Sequence, residues 1–75
     1  MNNNLQVGGL YEYPYAVRLH NEITPISDIT LISEYTPFVL LEVNKTRSVI
    51  WLKILSNSGK MGYVQYAKHL KALKK

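Results

Sequence analysis

The chain contains no cysteine. Disulfide staples, thiolate metal sites and a cysteine nucleophile are therefore excluded, and the composition fits a reducing compartment. Acidic groups are scarce as well, with 5 Asp and Glu against 9 Lys and Arg. So few carboxylates leave little choice for a general acid–base pair. The 2 histidines, His20 and His69, are far apart, and neither has the neighbouring carboxylates or His-x-x-x-His spacing of a metal site. No serine lies in a nucleophile-elbow motif, and no glycine loop has phosphate-binding spacing. Long apolar runs are also missing: the longest, such as Phe38 to Leu41, fall far below the roughly 20 residues that span a bilayer. The start, Met1 to Gln6, lacks the cationic segment and apolar stretch of a secretory signal. These absences predict a non-enzymatic protein with no cofactor, no metal and no membrane association, located in the cytoplasm.

What is present suits a small packed domain. Seventy-five residues allow one core, and the apolar share of 47% is ordinary for a globular chain. Six tyrosines, Trp51 and Phe38 supply large contact area at low rotamer cost. The expected organisation is a flexible stretch over residues 1–8 and a single domain over residues 9–75. The net charge of +4 is moderate, but Lys68, Lys71, Lys74 and Lys75 crowd its C-terminal end.

Periodicity points to strands. Leu10 to Tyr15 is an aromatic-rich segment introduced by Gly8-Gly9, and Pro14 makes it an edge strand or ends it. From Arg18 to Ser33 turn-forming residues interrupt any long period, leaving a long excursion with extended pieces around Ile23 and Ile29 to Ile32. After Pro37, Phe38 to Val43 alternates, with Val39, Leu41 and Val43 expected on the core face. Val49 to Ile54 alternates again, which points Ile50, Leu52 and Ile54 inward and places Trp51 on the less buried face. Leu55 to Lys60 reads as a hairpin turn and Met61 to Val64 as a final strand. Tyr66, Leu70 and Leu73 recur at helical spacing with lysines opposite, which predicts a short C-terminal helix capping one end of the barrel. Asn44-Lys45-Thr46 fits the glycosylation pattern and is read simply as loop. The expected fold is mainly β, a small closed barrel of about five strands with a short C-terminal helix or helical turn.

From Tyr15 to Leu70 the order of features resembles the bacterial Src-homology-3 (SH3b) domains. The most specific part is Trp51-Leu52-Lys53-Ile54 followed by Gly59-Lys60-Met61-Gly62-Tyr63-Val64, and Leu10-Tyr11-Glu12-Tyr13 is similar to the Leu-Tyr-Asp-Tyr of the eukaryotic branch. The resemblance implies an SH3-like barrel that works by binding. Tyr35 stands where the family usually has glycine, and Gln65 where the eukaryotic ligand groove has proline, which counts against proline-rich ligands. A stand-alone module of this kind also resembles small bacteriophage proteins that dock on host machinery, which would place it in the host cytoplasm.

Three binding readings follow. An aromatic surface of Trp51, Tyr11, Tyr13 and Tyr63, with Lys53 beside it, would meet a protein partner, because tryptophan and tyrosine dominate binding hot spots. The alternative for those rings is that they complete the core. A basic set of Lys45, Arg47, Lys68, Lys71, Lys74 and Lys75 would meet nucleic acid, or would be a solvated surface that keeps a small protein soluble. The third reading is a cell-wall peptide or glycan binder, as implied by the family resemblance. The expected state is a monomer or a weak dimer, with a partner's strand or a second copy pairing at the first strand.

Overall fold

The computed structural model of the chain describes residues 5–23 and 29–73. Seven strands form one curled, half-barrel antiparallel sheet: β1 (Leu10–Glu12), β2 (Val17–His20), β3 (Ile29–Ile32), β4 (Phe38–Lys45), β5 (Ile50–Ser56), β6 (Met61–Gln65) and β7 (Lys71–Ala72). The spatial order is β3-β2-β6-β5-β4-β1-β7. The mainly β expectation therefore holds in its coarse form. β1 is an internal strand, flanked by β4 and β7, and Pro14 follows it in a bend. Of the two expectations at Pro14, the strand's ending holds, since β1 stops at Glu12, whereas the exposed edge lies elsewhere, at β3 and β7.

The concave side carries the core, built from Tyr11, Tyr13, Leu19, Ile32, Phe38, Leu40, Leu52, Ile54 and Val64. On β5 the inward set is the one alternation predicts. On β4 it is the opposite one at the start of the strand, since Phe38 and Leu40 are almost completely buried and Val39 and Leu41 only half-buried. The pairing explains both the error and its partial repair. Leu40 pairs with Ile54, but the next pair is Glu42 with Lys53, so the register shifts at Leu41. An extra residue in one strand inverts the facing beyond it. Val43 accordingly packs against the core opposite Leu52, and Glu42 turns outward.

The predicted C-terminal helix is not formed. Tyr66, Ala67 and Leu70 do pack on the core, but the chain then runs extended as β7, with Ala72 paired to Tyr11 and Lys71 to Glu12, and the Leu73 amide donates to the Leu10 carbonyl at 2.9 Å. A helix this short has few internal hydrogen bonds to repay its nucleation, whereas the free side of β1 offers ready partners. Residues 74 and 75 lie outside the described residues. At the other terminus, Leu5 packs on the core, the Gln6 amide donates to the Tyr11 hydroxyl at 2.8 Å, and the Gly8 amide donates to the Leu40 carbonyl at 2.7 Å.

Local chemistry fixes the turns. Gly59 has φ of +90° in the β5–β6 turn, where the Ser56 hydroxyl accepts from the Lys60 amide. Between β4 and β5, the Thr46 hydroxyl donates to the Val49 carbonyl and accepts from the Val49 amide, so this threonine has a turn-closing role. Tyr35 has φ of +59°, the left-handed region that side-chain-bearing residues rarely occupy, and its amide donates to the Tyr13 carbonyl at 2.7 Å.

Candidate binding groove

Cross-strand pairing determines what the convex side presents. Paired residues in antiparallel strands project to the same face. Ile29 pairs with His20, His20 with Tyr63, Tyr63 with Lys53 and Lys53 with Glu42, giving one row across five strands. Two residues along, Trp51 sits between Gln65 and Asn44. Trp51, Tyr63 and Lys53, three of the five residues expected to meet a partner, therefore share the convex face. A second convex row, Leu10, Val39, Leu55 and Met61, is apolar throughout.

β2 and β6 touch through one register pair, His20 with Tyr63. Toward the start of β2 and the end of β6 the strands part, leaving an open groove of about 630 Å³. Its lining includes Tyr15, Arg18, His20, Trp51, Gln65 and Ala67. Tyr13 lies at its floor: the hydroxyl donates to the Gln65 carbonyl at 2.9 Å and accepts from the Ala67 amide at 3.0 Å, tying the β1–β2 connection to the end of β6. Burial is the main cause that pushes this phenol up to about 12, outweighing the hydrogen bond from Ala67, which favours the ionised form.

The wall is aromatic. Tyr13 and Tyr15 stack at 5.5 Å between ring centroids, and His69 meets Tyr15 edge-on at 5.6 Å. The His20 ring stands edge-on to Trp51 at 5.0 Å and covers it, so Trp51 faces away from the core, as the alternation predicts, yet is only 6% exposed. The His20 ring is itself buried, and its Nδ1 atom has no hydrogen-bond partner among the described residues. Tyr15 supplies the exposed aromatic surface at this site. Among the described residues Arg18 is the one lining side chain with a fixed charge, and the cleft is otherwise mostly apolar with a few polar groups, the composition of a ligand site.

The other expected residues go elsewhere. Tyr11 belongs to the core and bonds to Gln6; it does not line the groove. Lys45 and Arg47 are exposed at the β4–β5 turn, and Lys68 and Lys71 are exposed around β7, while Lys74 and Lys75 lie outside the described residues. Tyr15, Arg18 and His20 were not singled out in the sequence as site residues. Tyr15 continues the alternation of Tyr11 and Tyr13, but what sets its role is the bend at Pro14, which turns it out to the groove. Among the described residues no group of three or more His, Asp or Glu side chains could hold a metal ion. The chain matches no family model, no curated protein and no solved structure.

Proposed function

We propose that this chain is a non-enzymatic protein-binding module with an SH3-like barrel, and that the groove between β2 and β6 receives the partner. The observation that carries the reading is the opening of about 630 Å³ at a single splayed strand pair, with an exposed tyrosine on its wall and a buried tryptophan at its side. Concave, largely apolar sites with a few placed polar groups are where ligands bury most surface. Tyr15 offers the partner a rigid ring, Arg18 a charge-assisted donor, and Gln65 a neutral amide. The Tyr13 hydrogen bonds and the His20–Trp51 contact hold the floor and side in place before binding, which limits the ordering cost of association.

The test is an affinity pull-down of the tagged chain from lysate of its native or host cell, with and without nuclease, beside Tyr15→Ala and Arg18→Glu. Both positions are exposed, so the fold survives replacement and circular dichroism checks this. Protein recovery that resists nuclease and falls in both variants supports the groove. Recovery unchanged in both variants, or abolished by nuclease, rejects it.

A further inference from the structure

β3 closes one side of the sheet and pairs only with β2 among the described residues, so its outer edge presents backbone donors and acceptors to solvent. Native edge strands are usually guarded against pairing by lysine, proline, a bulge or extreme shortness. None of the first three is present: Ile29-Thr30-Leu31-Ile32 is uncharged and its register with β2 is regular. On its convex side, Ile29 and Leu31 are 46% and 67% exposed. On the opposite side, Thr30 borders a shallow polar hollow of about 270 Å³ that also includes Ser33, Thr36, Asn57, Ser58 and Lys60. The other free edge, β7, is two residues long and includes Lys71.

Charge and area select the occupant. Lys60 lies in the hollow, and Arg18 pairs with Leu31 on the convex side, so a cation stands behind the strand on each face, while in the sequence Asp28 directly precedes the strand and Glu34 lies two residues beyond its end. A second copy would bring the same cations to the junction on a chain of net charge +4. Pairing two such short strands also hides far less than the roughly 1,000 Å² expected of a stable interface. A partner segment with carboxylates meets those cations favourably, and the short edge makes it a weak, reversible binder. We propose that the free edge of β3 accepts an extended acidic segment of a partner protein as an added strand. Its apolar side chains lie beside Ile29 and Leu31, and its carboxylates turn into the hollow toward Lys60. Backbone hydrogen bonds supply the register and alternate side chains the selectivity. This surface shares Ile29 and Arg18 with the β2–β6 groove, but it would take its ligand through the backbone edge of β3 and through Lys60, neither of which the groove uses.

The experiment is an NMR titration of the full ¹⁵N-labelled chain with a blocked heptapeptide alternating glutamate and valine. Two control peptides carry lysine in place of glutamate, or N-methyl groups along one edge. The expected result is amide shifts at Ile29 to Ile32, weaker binding as salt rises, and a loss of about tenfold or more with either control peptide. Lys60→Glu and Leu31→Glu should each weaken binding by about tenfold, while Tyr15→Ala leaves it unchanged, which separates this edge from the groove. The proposal is overturned by the absence of β3 shifts at millimolar peptide, by equal binding of either control peptide, or by shifts confined to the groove. Self-association through β3, seen as concentration-dependent shifts abolished by Leu31→Lys, would also overturn it in favour of a second copy.

Discussion

A methyl group placed on Gly62 would lie 2.6 Å from the His20 carbonyl oxygen and 2.9 Å from Cγ and Cδ1 of Leu19. Ordinary contacts to such an atom begin at 3.4 Å, so relief requires a movement of about 0.8 Å, the difference of the two distances. The leucine can adjust its rotamer, but the carbonyl belongs to the backbone of β2, and β2 meets β6 at one register pair. Gly62→Ala must therefore move β2 away from β6 at a place where the sheet is joined by a single register pair. Overpacking of this kind costs about 1–3 kcal/mol. The substitution also restricts the unfolded chain, which returns about 0.4–1 kcal/mol. The expected net loss is about 1–2 kcal/mol, which for a domain of this size lowers the melting temperature by roughly 4–16 °C. Thermal and urea unfolding followed by circular dichroism measure it. The near-ultraviolet signal of Trp51 should change in the still-folded variant, because His20 covers that ring. Gly59 provides the control, since a Cβ there meets nothing within 4 Å and only its φ of +90° resists substitution. Asparagine, which tolerates that conformation, should be better than alanine at position 59 and no better at position 62. A Gly62→Ala protein within about 0.5 kcal/mol of the parent, or rescue by Gly62→Asn, would refute the close-approach argument.

Tyr35→Gly should stabilise the fold by up to about 1 kcal/mol, because it removes left-handed strain worth about 1–2 kcal/mol, part of which glycine's greater unfolded-state entropy offsets. A loss of stability in urea unfolding would instead mean that the Tyr35 ring, 55% exposed, makes contacts worth more than its strain. Tyr13→Phe should cost about 1–2 kcal/mol at neutral pH, since the Gln65 carbonyl and Ala67 amide lose their partner. The raised phenol pKa favours the neutral ring in the folded state, so its contribution is fully present below about 10, the unfolded value, and is lost as pH rises to about 12. The difference in stability between parent and Tyr13→Phe should therefore shrink over that alkaline window, and a constant difference would contradict the assignment.

How much of this was legible in the sequence depends on whether a feature is set by neighbours along the chain or across the sheet. The β5 alternation and the Ser56–Lys60 turn are local, and the residues identify both. The facing of Phe38 to Val43 is not, because a bulge at Leu41 is visible only against the partner strand, and without it the strand reads in the wrong phase. The C-terminal segment fails for a related reason: its apolar spacing suits a helix, but pairing with β1 outweighs it. Trp51 combines both kinds of information. Its outward direction follows from the alternation with Leu52, whereas its cover comes from His20, which lies 31 positions earlier and is placed there by the His20–Tyr63 register pair. Gly62 links these observations: it allows β2 to approach closely enough for His20 to cover Trp51, while the parting of the same two strands a few residues away creates the groove. A residue needed for close packing at one end of the β2–β6 junction is thus also a condition for the proposed binding site at the other. Any substitution that drives the strands apart at Gly62 should therefore alter groove binding without touching a groove residue.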